Sequence, residues 1–229
     1  VHPTKPGGPP TLWDGLRELL AYEMVNKGQI SLINRLDRET SGLVLVCKNS
    51  SSARTFAMAM EEKRIRKAYH ALVYDWPADD SFLVAAPLLR IGEKEPSNIW
   101  LKRGIHPDGD ISETQVSVLK RYTHPEKGDF ALVEAKPLTG RTHQIRVHLA
   151  SLGHAVIGDK IYGPDENYYL QFIEQGWISS MEKALWLPRH ALHSSLLEVE
   201  IRGEVFRWES PLPWDMQKIL KESAACPRP

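Results

Sequence analysis

The chain has 229 residues, of which 42% are hydrophobic and 25% charged, the proportions of an ordinary globular protein with length for one large domain or two small ones. Twenty-nine Lys and Arg balance 29 Asp and Glu to a formal charge of zero, which argues against a protein that coats nucleic acid by bulk charge and leaves only local basic patches for that purpose. No run of about 18 apolar residues and no signal-peptide pattern appears, so no membrane span is expected; Cys47 and Cys226 lie too far apart in sequence to suggest a metal cluster or disulfide framework, and a reducing, cytoplasmic compartment fits best.

Taken in order, VHPTKPGGPP is too rich in Pro and Gly for a regular element. Gly7-Gly8 has no Lys-Ser/Thr behind it and is no phosphate loop. A helix is predicted from Thr11, its N-cap, with Leu12, Leu16, Leu19 and Leu20 on one face. NRLDRETSG at Asn34–Gly42 carries turn residues and leads into Leu43–Lys48, which reads as a buried strand. Ser50–Ser52 is placed to cap a helix whose Ala53, Phe56, Ala57 and Met60 repeat at helical spacing. That helix fades into EEKRIRKAYH at 61–70, with four Lys and Arg in ten residues. Lys67–Tyr74 then alternates like a strand, with Tyr69, Ala71 and Val73 on one face.

Residues 81–110 read as loops with short strands, and Thr114–Tyr122 and Phe130–Ala135 as longer ones. In LTGRTHQIRVHLASLG, Thr142 is predicted to cap a helix with an apolar stripe of Ile145, Leu149 and Leu152, ended by Gly153. His190–Ile201 and Val205–Glu209 resemble a hairpin turning near Arg202-Gly203, and a short helix follows Pro213. With no repeat or low-complexity linker, residues 1–229 read as one mixed α/β (α+β) domain.

Asp37 stands between Arg35 and Arg38 in a loop beside a buried strand, where a rigid scaffold can present it. As an isolated group it would default to a weak surface ion pair. The second basic stretch, running from Lys136 through Arg141, His143, Gln144 and Arg146 to His148, gives that carboxylate a set of potential partners. The histidines are not expected to make a metal site: His143 and His148 are five apart and do not share a helix face, His190 and His193 in a predicted strand would point to opposite faces, and no Cys or carboxylate cluster completes a set.

NRLDRETSG together with LTGRTHQIRVHLASLGHAVIGDKIYG resembles the RluA family of RNA pseudouridine synthases. KAYHALV and RHALHSSLLEVEI resemble two further segments of that family in the expected order, so the likeness covers most of the chain. Two departures stand out: Asn34 occupies a position where the family usually has His, and the family strand that precedes His2-Pro3-Thr4 is absent. The resemblance implies a mixed, largely antiparallel sheet flanked by helices around a central RNA-binding cleft. It also implies catalysis by Asp37, an active-site Tyr69, and Arg141 as the basic partner of Asp37, with no metal and no cofactor.

The implied reaction breaks the N1–C1′ glycosidic bond of a uridine, turns the uracil and rejoins it through C5. A carboxylate suits the first step as nucleophile or as stabiliser of a sugar cation, and an adjacent guanidinium favours its charged form and fixes its geometry. Tyr69 would stack on the uracil and its phenol move a proton. The target base must leave its stack, with Arg35 filling the vacated space or holding a phosphate. Arg38, Lys63, Arg64, Arg66, Lys67, His143, Gln144 and Arg146 complete the expected RNA contacts. The expected partner is a structured ribosomal or transfer RNA; a monomer is the working expectation, although the sequence specifies no oligomeric state. Two rivals are a catalytically silent RNA-binding module of the same fold, which would have no need of Asp37, and a glycosidic hydrolase, which would need a second carboxylate. Glu39 is the only nearby acid, and its place in the turn suits a local structural role.

Overall fold

The computed structural model describes residues 10–226, so the opening residues 1–9, including His2-Pro3-Thr4 and Gly7-Gly8, lie outside it. The scaffold is an eight-stranded sheet. Its strands run Glu204–Glu209, Leu192–Ile201, Arg66–Tyr74, Gly128–Pro137, Glu113–His124 and Ala224–Cys226, each antiparallel to its neighbour. Ser81–Ala85 adds to Glu113–His124. Ser41–Gly42 pairs parallel with His193 and Ser194, and this pair makes the sheet mixed. Smaller two-stranded pairs join Ser31–Leu32 to Val46–Cys47 and Leu88–Arg90 to Arg103–Ile105. This is the mixed, largely antiparallel α+β architecture expected from the sequence. No described helix is long and apolar enough to cross a membrane.

The strands follow from alternation. Leu72, Val116, Phe130 and Val133 are fully buried and meet Leu149 and Ile157 on the main core face. Trp186 closes this core edge-on against Tyr74 and Phe130. A second apolar cluster lies under the Ser50–Glu61 helix, where Ala59 and Phe56 meet Leu197, Phe206 and Trp208. The hairpin from Leu192–Ile201 to Glu204–Glu209 turns on Arg202 (φ 53°) and Gly203 (φ 82°), the two left-handed residues of a tight primed turn.

Several local expectations need correction. The helix at the start is Leu12–Leu19, and the Asp14 carboxylate accepts from both the backbone N–H and Oγ1 of Thr11. Of its leucine face, however, only Leu16 is buried. The Leu43–Lys48 run is not one strand. Ser41–Gly42 pairs with one neighbour and Val46–Cys47 with another, so the chain changes partner in between. The Asn167–Gln175 and Ser179–Leu185 helices and the Ala224–Cys226 strand were not anticipated.

Candidate active site

Each residue of Thr40-Ser41-Gly42 docks the Asp37 loop onto the segment His190–Ser194. Thr40 Oγ1 lies 2.7 Å from His190 Nε2 and Ser41 Oγ 2.9 Å from His193 Nδ1. Gly42 has φ +108°, and a Cβ there would sit 2.2 Å from the Ser194 carbonyl oxygen, so both conformation and space require glycine. Behind the loop, buried Asn34 donates through Nδ2 to the Leu43 carbonyl at 3.1 Å and accepts the Leu45 N–H at 2.7 Å. A side-chain amide, with a donor and an acceptor, closes both backbone bonds at once. The Thr40 N–H then donates to the Asp37 carbonyl at 3.1 Å and tightens the turn.

The guanidinium that meets Asp37 belongs to Arg146. Its Nη1 donates to Asp37 Oδ2 at 2.9 Å, while Nε and Nη2 grip the two oxygens of Asp159 at 2.6 and 2.9 Å. Arg141, expected in this role, points elsewhere: Nε donates to the Ile111 carbonyl at 3.3 Å and Nη1 lies 3.5 Å from Asp110, on the surface. The reason is where the helix begins. It spans Gln144–Ser151 and is preceded by a left-handed His143 (φ 59°), not capped by Thr142. Gln144 plugs the turn instead, its Oε1 accepting the Arg141 N–H and the Thr139 hydroxyl and its Nε2 donating to the Glu113 carbonyl and Thr114 Oγ1. Arg146 is thus brought inward on the first helical turn.

Asp159 is fully buried. Burial alone would raise its carboxyl, but the Arg146 guanidinium outweighs that and holds it well below the usual carboxylate range. Gly158, at φ +81°, precedes it; a Cβ there would meet the Arg189 carbonyl at 2.1 Å. His143 approaches the same oxygen of Asp37, its Nε2 3.9 Å from Oδ2 and its Nδ1 2.8 Å from the Tyr162 hydroxyl. Burial, reinforced by the Arg146 charge, pulls His143 down to about 4, so it is neutral near pH 7.

Asp37 opens into a cleft of about 1330 Å³ whose floor includes Tyr69 and whose rim includes Arg35, Lys63, Arg66, Lys136 and Arg141. Tyr69 pairs in the sheet with Ala135 on one side and Ser194 on the other. The Leu192–Ile201 strand bulges next to this pair, between Ser194 and Leu196, as strands often do beside active sites. Burial pushes the Tyr69 phenol up to about 12; the Ser194 hydroxyl opposes this and the Asp37 charge adds to it. Lys67 shares the strand face of Tyr69 and also lines the cleft; burial pulls its ammonium down.

The other expected RNA contacts divide. Arg35, Lys63, Arg66 and Lys67 line the cleft. Arg38 is exposed but is not part of its lining. Arg64 turns away, bonding Glu62 at 2.7 Å and the Glu200 carbonyl at 3.1 Å. Gln144 and Arg146 are buried and have their polar atoms engaged inside the protein, so neither offers an RNA contact like a surface residue. The histidines serve hydrogen-bond networks. His148 meets Ser112 and Thr114, and His190 and His193 hold the Asp37 loop, although opposite strand faces had been expected for them. His190 precedes the Leu192–Ile201 strand, which removes that constraint.

Residues 1–151 match the family model described as RNA pseudouridylate synthase. The chain belongs to that family. It is 33% identical over 97% of its length to an uncharacterized RNA pseudouridine synthase of Chloroflexus aurantiacus, covering 63% of that relative. It is 36% identical over 83% of its length to the ribosomal large subunit pseudouridine synthase C of Pasteurella multocida, covering 53% of that one. The chain therefore spans a little over half the length of such curated relatives. Among solved structures, Human RNA Pseudouridylate Synthase Domain Containing 1 superimposes with a TM-score of 0.69 at 25% identity, covering 92% of this chain and 79% of that one.

Proposed function

We propose that this chain carries the catalytic centre of an RNA pseudouridine synthase and converts uridine to pseudouridine in a structured RNA. The observation that carries the reading is the Asp37 carboxylate held by one arm of Arg146 at the base of a cleft with Tyr69 on its floor and cations on its rim. Only Oδ2 of Asp37 is bonded among the described residues, so the other oxygen faces incoming sugar or base. Asp37 acts as nucleophile or as electrostatic partner while the N1–C1′ bond breaks and the electron pair leaves with the uracil. The turned base then forms the C5–C1′ bond, C5 gives up its proton and N1 takes one, so the net change is an isomerisation. Because its phenol keeps its proton far above neutrality, Tyr69 serves as a stacking face and hydrogen-bond donor rather than as a base in the free protein.

Arg35, exposed beside Asp37, is placed to enter the space left by a flipped base, and Lys63, Arg66 and Lys67 to meet phosphates. The Pasteurella relative's name refers to the large ribosomal subunit; we take ribosomal RNA as the first substrate class to test, transfer RNA as the second, and the cytoplasm as the compartment.

The experiment is tritium release from RNA carrying 5-tritiated uridine, comparing the chain with Asp37→Ala on ribosomal and transfer RNA pools. Release that requires Asp37 supports the reading, and the releasing pool gives the RNA class. Retained release in Asp37→Ala overturns the assignment. Free uracil in place of pseudouridine would favour a hydrolase.

A further inference from the structure

The mechanism leaves unused a buried polar cluster on the other side of the Asp37 loop. Lys160 is 3% exposed. Its ammonium donates to both carboxylate oxygens of Glu39, at 2.7 and 2.9 Å, and to the Pro188 carbonyl at 2.6 Å. These three contacts engage all the donors a lysine has. Aromatic rings complete its surroundings, with the ammonium 4.4 Å from the centroid of Phe172 and 5.8 Å from that of Trp177. Arg189 adds a bond from Nη1 to the Glu39 carbonyl at 3.3 Å while gripping Asp215 through Nε and Nη2.

The placement of this cluster is informative. Glu39 follows Asp37 by two residues, and Lys160 follows Asp159 directly. Adjacent residues therefore hold one loop from two sides: Asp159 reaches Asp37 through Arg146, and Lys160 reaches Glu39 itself. The Glu39 carboxylate also faces His190 Nδ1 at 3.8 Å. That ring is fully buried and neutral near pH 7, so it adds no competing cation. An exposed ion pair would say little, but the Lys160 side chain is only 2% exposed. The Glu39 side chain is 23% exposed, so the pair joins a buried cation to a half-buried carboxylate, and a pair with a buried partner serves geometry better than it serves stability. The loop needs such an anchor because its two cationic side chains, Arg35 and Arg38, are exposed and would be drawn outward by RNA phosphates.

We propose that the Glu39–Lys160 ion pair is a latch that fixes the loop and positions Asp37 for reaction. Glu39 and Lys160 are then positioning residues that touch neither sugar nor base. This inference rests on the proposed function, and the test separates the two.

Glu39→Gln, Glu39→Asp and Lys160→Met are compared with the parent chain in three measurements. These are single-turnover tritium release at saturating RNA, the Kd for the same RNA, and hydrogen exchange at the Thr40 and Leu43 amides. The latch requires the single-turnover rate of Glu39→Gln and Lys160→Met to fall by about tenfold to a hundredfold, the scale of a small misplacement of a reacting group. The RNA Kd should stay within about twofold, Thr40 and Leu43 should exchange faster while the Glu113–His124 strand does not, and Glu39→Asp should recover part of the rate. Unchanged rates, or a loss that follows RNA affinity or the unfolded fraction, overturns it. Should Lys160→Met fail to fold, the near-isosteric Glu39→Gln decides alone. A parent chain whose tritium release does not depend on Asp37 refutes the proposed function. Unchanged exchange at Thr40 in Glu39→Gln refutes the latch whatever the activity.

Discussion

Replacing Arg146 with methionine tests how the site is held together. The side chain is 5% exposed and joins two carboxylates, one of them, Asp159, wholly buried. Removing the guanidinium leaves Asp159 charged without a counter-ion in the interior. Breaking a buried pair in this way costs about 3–5 kcal/mol, which for a chain of this size lowers the melting temperature by roughly 6–20 °C. Arg146→Lys keeps the charge but loses the fork, so it is expected to lie between the two and to lose tritium release more steeply than stability. Adding Asp159→Leu to Arg146→Met removes the stranded charge and should regain part of the loss. The acid dependence follows from the same pair. Asp159 has a folded value depressed below its unfolded value of 3.8, so the linked stability is complete above that value and drains as pH falls toward the folded one. Urea denaturation of the variants between pH 2 and 7 checks each step. A loss below about 1 kcal/mol in Arg146→Met, or a double variant no more stable than the single, would refute the reasoning.

Gly42→Ala is expected to destabilise by about 1–3 kcal/mol or more, from strain at its positive φ plus the clash with Ser194, read by urea denaturation; a neutral result would mean the loop docks differently. Neutralising Lys63, Arg66 and Lys67 together should flatten the slope of log K against log salt for RNA by about two units, if each meets one phosphate; an unchanged slope makes them ordinary surface charge. Burial pulls His190 down to about 3 from 6.5. Its linked stability is therefore present above 6.5 and lost as pH falls toward the folded value, and His190→Asn should show a shallower loss between pH 6.5 and 4 in thermal melts.

The elements with a clear period were legible. Lys67–Tyr74, Thr114–Tyr122 and Phe130–Ala135 lie inside observed strands, and the Ser50–Glu61 helix follows its apolar spacing. Asp37 and Tyr69 were both named from the sequence, and both line the cleft. The error lay in the Gln144–Ser151 helix, read as amphipathic with Ile145, Leu149 and Leu152 inward; Leu152 lies past the helix end and is exposed. All of Gln144–Leu149 is buried, because Gln144, Arg146 and His148 satisfy one another's surroundings through Thr114, Asp159 and Ser112 rather than facing water. Hydrophobic period cannot reveal a polar residue buried by its partners. The available signal was an arginine set between Ile145 and Val147, with an aspartate after Gly158 to receive it. The Asn167–Gln175 helix was also missed, although Tyr169, Phe172 and Ile173 fall at helical spacing; none of its residues is fully buried.

The division of Arg146 between two acids explains how one carboxylate stays reactive beside a strong partner. If Asp37 received the paired Nε and Nη2 donors, both its oxygens would be occupied and its charge spent in the bond. Asp159 takes those donors instead, at no cost to reactivity because it is sealed from the cleft. Its two oxygens also accept from the Arg146 fork while Oδ1 accepts the backbone N–H groups of Ile161 and Tyr162 at 3.0 and 3.1 Å, which fixes the guanidinium plane. Arg146 is thereby oriented by one aspartate and presents one N–H of Nη1 to the other. A lysine, with a point charge in place of a planar fork, could supply the attraction but not this partition. Asp37 retains a fixed position, a neighbouring positive charge and an uncommitted oxygen, the three properties that the proposed bond-breaking at a sugar carbon would demand of it.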